Sequence, residues 1–427
     1  MIPEQAFAGL LQLGEHWEVK AAEYETEPLE RFIIVVREAG SLWGSLRCPG
    51  ACCGGTGIVC HDHAEARSWR HLDAFGRRTE IHCALPRARC KGCGKVWTVK
   101  APWEGKGKHF TRDFEAFSLT LMREMPVKRA GRILGETDTR LWRMLLAHVK
   151  AAYTILDFSE VVHVGVDEMN LRKGHSYLTV FADLAGRRVV FATEGKDSST
   201  IGAFAEELLR HNGHPHAVTQ IAMDMSAAYL KGAREASGNA RIVHDPFHVT
   251  ALVGAAVDEV RRREAREGDD GTKESLKGSM YLFRKNRENL TEEQAVQMDG
   301  LDLKNLATGQ AYQVRIELSD IYRKARTPEK ARYRLKSWIN WARAKCERWG
   351  RLLAPLERSV RTIEKNLEGI LAHWEDELST AFMEGPDSVF SAVKRKARGY
   401  RNTGYFIAML YFTAGKLNLP SYPSHGK

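Results

Sequence analysis

Three stretches of the chain carry three different spacings of apolar residues. Between Val161 and Val249, strand-length apolar runs alternate with helical periods. Val161-Val162-His163-Val164-Gly165-Val166 predicts a strand that stops at Asp167, and His175 to Asp183 predicts a second. A tight turn at Ala185-Gly186 leads to a third, Arg188 to Ala192. Ser198 to Arg210 has an amphipathic helical period. Val218 to Met223 then predicts a fourth strand ending at Asp224, a helix follows from Ala227, and Arg241 to Asp245 predicts a fifth strand. Upstream, Phe114, Phe117, Leu121 and Met122 mark a helix over Asp113 to Met125 that Pro126 ends. Downstream, Gly254 to Leu378 is charged and helical, with Trp338, Trp341 and Trp349 as expected core anchors.

Three antiparallel strands, helix, strand, helix, strand is the order of a ribonuclease-H-like sheet. In that topology strands one and four lie side by side and parallel, which brings Asp167 and Asp224 together at their C-terminal ends. Two carboxylates so placed hold hard divalent cations through oxygen. Two such ions about 4 Å apart serve an in-line attack on a phosphodiester. Aspartate at a strand end also has a plainer use, capping turns and helices, and Asp183 and Asp245 fit that use.

The segment before Val161 adds two further signals. Val127 to Gly135 reads as a short helix closed by Gly135, and Thr137 and Asp138 can cap a third helix beginning near Arg140. A short helix, a small-residue turn and a capped longer helix form a helix-turn-helix layout, whose last helix suits a major groove. Arg140 and Arg143, early in that helix, are the candidate base readers. Gly105 to Lys150 holds ten Lys/Arg against five Asp/Glu. The whole chain carries +10 over 427 residues, an excess that suits a polyanion.

Seven of the eight cysteines lie between Cys48 and Cys93. Cys48-Pro49-Gly50-Ala51-Cys52-Cys53-Gly54 and Cys90-Lys91-Gly92-Cys93-Gly94 form two close pairs, the layout of a tetrahedral thiolate site in a zinc ribbon. Either Cys52 or Cys53 completes the first pair, with Cys48, Cys90 and Cys93 as the other ligands. Cys60, His61, His63 and Cys83 are competing donors. Four thiolates leave no open position, so a structural Zn²⁺ is expected. No apolar run is long enough to span a bilayer. The first residues lack the layout of a secretory signal, so no membrane and a cytoplasmic setting are expected.

Gly165-Val166-Asp167-Glu168, Lys173-Gly174-His175-Ser176-Tyr177, Ala222-Met223-Asp224-Met225-Ser226-Ala227-Ala228-Tyr229 and Asp245-Pro246-Phe247-His248 closely resemble motifs of the ISL-three insertion-sequence transposases. So do Trp69-Arg70-His71-Leu72-Asp73, Met383-Glu384-Gly385 and Lys394-Arg395-Lys396-Ala397-Arg398-Gly399-Tyr400-Arg401. These blocks follow family order from about Cys48 to Leu417. The resemblance implies a bacterial DDE transposase in which Asp167, Asp224 and Glu384 are the first, second and third acids and hold metal. It implies Mg²⁺, two ions, with Mn²⁺ as a substitute, and terminal inverted repeats as the DNA recognised. Two departures surround Glu384: Asp387 stands where relatives carry Asn, and Ala381-Phe382 replaces a polar pair. Glu375, Glu377 and Asp387 are the alternative third acids. Lys394, Arg395, Lys396, Arg398 and Arg401 follow Glu384 as candidate DNA contacts.

The expected architecture is multidomain α/β: a zinc ribbon and helix-turn-helix, then a ribonuclease-H-like core interrupted by a helical insertion. The expected divisions are 1–104 with the ribbon at about 45–100, 105–155 for the helix-turn-helix, and 156–253 for the first part of the core. The insertion follows at 254–378 and a C-terminal core helix at 379–427. The partners are double-stranded DNA, as terminal repeats and target, and a second copy of the chain, since pairing two ends requires at least a dimer. The alternative function is a DNA-binding regulator, or domesticated transposase, with an inactive core.

Overall fold

The structure, a computed structural model, describes residues 4–28, 30–50, 55, 57–172, 176–375, 393, 400 and 402–422. Two compact units divide it: Met1–Thr154 with Leu417–Lys427, and Ile155–Lys416.

The first unit is built on a five-stranded sheet. β1 (Trp17–Glu25), β2 (Arg31–Glu38), β4 (Arg77–Cys90) and β3 (Ile58–Ala74) lie in that order, and β5 (Val96–Thr98) adds to β4. β3 and β4 form a long hairpin whose two turn residues, Phe75 and Gly76, both have positive φ, the geometry of a tight type I′ turn. Trp69 and Ile81 are fully buried, and Trp103 packs edge-on to both Trp17 and Trp69 at 5.1 and 5.6 Å. The cysteine-flanked ribbon is therefore the long arm of a larger sheet. β1 and β2, which complete that sheet, were not anticipated from the sequence.

Three helices follow within the same unit: α1 (Arg112–Glu124), α2 (Val127–Leu134) and α3 (Asp138–Thr154). The Thr111 side chain caps α1, and Gly135 ends α2 in the left-handed conformation at φ 64°. A Cβ on Gly131 would lie 2.6 Å from the Glu136 carbonyl oxygen, so this glycine lets the turn fold back on α2. Glu115, almost wholly buried on α1, bonds His148 of α3 at 2.7 Å and accepts from the Lys106 and Gly107 amides. The helix-turn-helix layout read from the sequence is present. The tail expected to belong to the core instead joins this unit from Leu417 onward. There Tyr422 packs on Phe117 and donates its amide to Thr120 Oγ1.

The second unit holds a mixed sheet ordered β10-β9-β6-β7-β8: β6 (His163–Arg172), β7 (Ser176–Asp183), β8 (Arg188–Glu194), β9 (Gln220–Met223) and β10 (Arg241–His244). β6, β7 and β8 run antiparallel, while β6–β9 and β9–β10 are parallel. α4 (Ser198–Arg210) lays Phe204 against Phe181, the rings stacked at 4.4 Å, and α5 (Ala227–Ala236) packs beside it.

α6 (Pro246–Glu267) leaves β10 directly, capped by Asp245, so the helical segment begins eight residues before the expected Gly254. Val253, Val257 and Val260 of α6 share one core with α7 (Ala307–Lys324), α8 (Pro328–Trp349) and α9 (Ala354–Lys365). Trp338 is buried there and donates to the Val314 carbonyl, whereas Trp341 is 38% exposed and is no core anchor. Trp349 packs at the core's margin. α10 (Leu367–Leu371) returns the chain to the sheet. A Cβ on its Gly369 would lie 2.7 Å from the His244 ring, so glycine permits the contact. α11 (Thr403–Ala414) packs on β8, its Tyr411 hydroxyl accepting from the Ala192 amide. No described helix is long and apolar enough to cross a membrane.

Buried Glu264, near the end of α6, accepts from the Ala307 and Thr308 amides at 2.7 and 2.8 Å and from the Thr308 hydroxyl. Leu306, the α7 N-cap residue, makes no side-chain cap bond, so the carboxylate from α6 serves the helix start instead. We expect Glu264→Ala to lower stability by about 2 kcal/mol, read as a shifted midpoint in urea unfolding. An unchanged midpoint would show that the cap contributes nothing.

Candidate active site

Asp167 does not end its strand, as the sequence suggested, but lies within β6. The parallel pairing of β6 with β9 runs through His163↔Gln220, Val164↔Ile221 and Gly165↔Ala222. Two residues beyond the last pair on each chain stand Asp167 and Asp224. They are therefore level in register, Asp167 within β6 and Asp224 just past the end of β9. β9 stops there, and Asp224 turns the chain toward α5, its Oδ1 accepting from the Ser226 amide at 2.8 Å. That bond is the ordinary turn use of aspartate, and it also fixes the carboxylate's orientation. Asp183 and Asp245 do have turn and cap roles: Asp183 accepts from the Gly186 amide and pairs with Arg188, and Asp245 caps α6.

Around this pair stand residues that the sequence reading did not single out. His248, in the first turn of α6, places Nε2 3.8 Å from Asp167 Oδ1. Burial lifts the Glu168 carboxyl above the usual carboxylate range; the Asp224 charge lifts it further while Lys196 opposes. Tyr229 of α5 is buried against the same group, its hydroxyl 2.8 Å from Thr179 Oγ1. Burial pushes that hydroxyl up, and the charges of Glu168, Asp224 and Asp167 add to the push. Asp167 and Asp224 therefore lie at one end of the sheet, with Glu168 next to Asp167 in β6 but on the opposite face of the strand. Asp167 and Asp224 carry oxygen donors of the kind that suit a hard divalent cation. His244 lies beneath, its Nδ1 3.1 Å from the Met223 carbonyl oxygen, and burial lowers its pKa.

Glu375, one of the alternative third acids, pairs with Arg241 at the start of β10. That is the far end of the strand from the level of Asp167 and Asp224, so Glu375 does not join them. Glu384, Glu377 and Asp387 lie outside the described residues, as do Lys394, Arg395, Lys396, Arg398 and Arg401.

In the first unit, Cys48, Cys90 and Cys93 place their sulfur atoms within 4.8 Å of one another, with Cys48 and Cys93 at 3.6 Å. A tetrahedral zinc with bonds near 2.3 Å separates its sulfurs by about 3.8 Å, so this spacing fits zinc. Gly94, at φ 73°, shapes the knuckle between Cys90 and the following chain. Cys52 and Cys53 lie outside the described residues. The competing donors are elsewhere: Cys60 and His63 gather with Glu38, and Cys83 is buried in the sheet core, its thiol pushed up to about 12 by burial first and by Glu38.

The helix-turn-helix is fastened to the ribbon through Glu136, in the turn between α2 and α3. Its side chain is only 2% exposed and meets Arg78 at 3.1 Å, Arg70 at 3.8 Å and Arg140. Arg70, itself buried, also donates to the Leu134 carbonyl and lies over the Phe114 ring. Arg140 is thus drawn inward, over Phe110 as well, whereas Arg143 is exposed. Lys128, Arg129 and Arg132 of α2 are exposed too, a basic face that the sequence reading did not name.

A helix-turn-helix beside a thiolate cluster, and a mixed sheet gathering acids at one end, define a DNA-processing enzyme of modular build. A family model described as "Transposase" matches residues 164–410, and one for the "Helix-turn-helix domain of transposase family ISL3" matches 99–149. The chain is similar to the transposase for insertion sequence element IS1001 of Bordetella parapertussis, at 31% identity over 80% of this chain and 82% of that one. It is also similar to the transposase for IS1557 of Mycobacterium tuberculosis, at 25% identity over 98% of both chains. The chain belongs to the ISL3 family of insertion-sequence transposases. Membership implies DNA binding, DNA cleavage and strand transfer, and use of a divalent metal.

We expect two effects on the stability of the first unit, both read by chemical unfolding. Glu136→Ala leaves Arg70 buried with less compensation and lowers stability by roughly 2–4 kcal/mol; a loss under about 0.5 kcal/mol would refute the fastening role. The Glu80 carboxyl is held down at about 2 by its hydrogen bond to His82 and by Arg78 and Arg31. Its folded pKa lies below the unfolded value, so its stabilisation is present above about pH 4.3 and is lost as pH falls toward 2. Glu80→Gln should flatten the stability profile across that window.

Proposed function

We propose that this chain is a DDE-type transposase with a ribonuclease-H-like core, in which Asp167, Asp224 and Glu384 are the catalytic acids. The observation that carries the reading is the parallel register of β6 on β9, from whose last pair Asp167 and Asp224 each stand two residues on. The strand order β10-β9-β6-β7-β8, with three antiparallel strands followed by two parallel ones, supports it. The working metal is Mg²⁺, two ions, for which Mn²⁺ substitutes. A bound pair of divalent ions supplies charge for in-line displacement at phosphorus, helping the attacking hydroxyl and the leaving oxygen alike.

The chain's own groups do the positioning. Asp167 and Asp224 offer their oxygens toward one site, and the Ser226 amide orients Asp224. Water is the first nucleophile, cutting at the end of the element. The freed 3′-hydroxyl then attacks target DNA with the same in-line geometry, and no covalent link to protein forms. His248 holds a position from which it orients Asp167. The exposed cations of α2 and α3, Arg143 among them, contact the terminal inverted repeats; Arg140 takes a supporting part. Lys394, Arg395, Lys396, Arg398 and Arg401 contact DNA near Glu384. Cys48, Cys90 and Cys93, with Cys52 or Cys53, hold a structural Zn²⁺ that clips the ribbon's ends. The active form is at least a dimer, because two element ends react together.

Cleavage of duplex DNA carrying a terminal inverted repeat, with Mg²⁺, tests the catalytic reading. Asp167→Ala and Asp224→Ala should each slow cutting by about a thousandfold, about 4 kcal/mol of barrier, while repeat binding persists. Wild-type protein that binds the repeat but never cuts it would favour the DNA-binding regulator. For zinc, metal analysis of the purified chain should find about one equivalent, and Cys90→Ser should remove it. A Cys90→Ser chain that retains its zinc would refute the ligand assignment.

A further inference from the structure

The second unit carries a groove of about 800 Å³ to which the reading of the motifs gave no role. Thr250, Ala251, Gly254 and Ala255 of α6 form one wall, and Phe247 stands at one end, 60% exposed. Arg262, Arg284 and Arg315 line it with a single acid, Asp258. Arg315 is pinned by bonds to the Lys285 and Arg284 carbonyls, and Arg262 leans on Asp258 at 3.3 Å. Arg284 is exposed and has no ionic partner among the described residues. Asn286 contributes a buried Oδ1 that lacks a hydrogen-bond partner.

The position of this groove gives it meaning. Phe247 directly precedes His248, whose ring reaches Asp167. From Phe247 to Arg262 the helix runs about 22 Å, the length of about six nucleotide steps in a duplex strand. The groove therefore begins at the residue next to His248, the side chain that approaches Asp167, and follows α6 toward its C-terminal end. Its positive charge fits a phosphodiester chain, and its exposed ring offers a face on which a base can stack.

Sequence tolerance narrows the occupant. Arginine-to-phosphate contacts and ring stacking accept any base, whereas fixed sequence is read by contacts to base edges. The ends of a mobile element have a fixed sequence; the donor DNA beside them changes with every insertion. We infer that this groove holds the DNA strand of the donor flank as it leaves the cut site. A base stacks on Phe247, and the following phosphates meet Arg284, Arg315 and Arg262. The inference rests on the catalytic reading above, since it takes the acid pair as the place of cutting.

Binding of two fluorescein-labelled duplexes to the full chain tests it. Both carry a terminal inverted repeat of the element that encodes the chain; in one the donor DNA continues past the cut site, and in the other the duplex ends flush. Wild type should bind the flanked duplex about tenfold more tightly. Phe247→Ala and Arg284→Glu should reduce that preference to about twofold or less, with flush binding unchanged. Gly254→Met should do the same by filling the groove: its added Cβ would meet only Arg315 Nε, at 3.9 Å, so the helix keeps its packing.

Three results would overturn the inference: no flank preference in wild type, a full preference in all three variants, or a preference that unrelated linear duplex abolishes. The last would assign the groove to target DNA. Cutting by Asp167→Ala and Asp224→Ala at the wild-type rate would sink the catalytic reading while leaving the flank measurement standing.

Discussion

The parallel contact between β6 and β9 is the constraint on which the placement of Asp167 and Asp224 depends. Only three residue pairs make it, yet it joins segments separated by a hairpin and a helix. Side chains alternate along a strand, so a slip of one residue would turn Asp167 to the opposite face. Register is protected by burial: all four residues of β9 are buried, as are Val164 and Val166 on β6. Packing on both sides of the sheet thus sets where two charged groups meet.

The first unit solves a different problem, presenting basic helices without letting them move on their support. A carboxylate in the turn between α2 and α3 draws arginines from two ribbon strands and one helix. Desolvated charge of this kind is costly unless geometry is good, and the buried arginine is compensated by Asp73 at 2.5 Å together with the buried glutamate. Two neighbouring arginines of α3 consequently differ in use. One is consumed in fastening, and the other faces outward. Charge count alone does not separate them, because only the fold shows which cation has an acid behind it.

The strands of the second unit's sheet and the helix-turn-helix were legible because apolar spacing and capping residues are local signals, and the same spacing located Asp167 and Asp224 near strand ends. What escaped were long-range relations. Asp167 looked terminal because a polar residue interrupts the apolar run, whereas β6 continues past it in pairing with β7. β1 and β2 lacked turn markers strong enough to stand out. His248 and Glu168 sat inside the family blocks without a role, since nothing in their spacing tells that they fold against Asp167 or Asp224. Trp341 follows Trp338 by three positions but falls on the outer side of α8, a helical-phase distinction that tryptophan content hides. Glu375 looked available because an acid's partner, here Arg241, lies 134 positions away.

The bond between the Tyr411 hydroxyl and the Ala192 amide bears on how the protein is made. β8 is the outermost strand on its side of the sheet, and an uncovered strand edge invites pairing with other chains. The group that covers it lies 219 residues later. At about 5–20 residues per second that distance takes roughly ten to forty seconds to synthesise. For that interval the emerging polypeptide offers a sticky border to its surroundings, and the large helical segment must collapse on itself without trapping it.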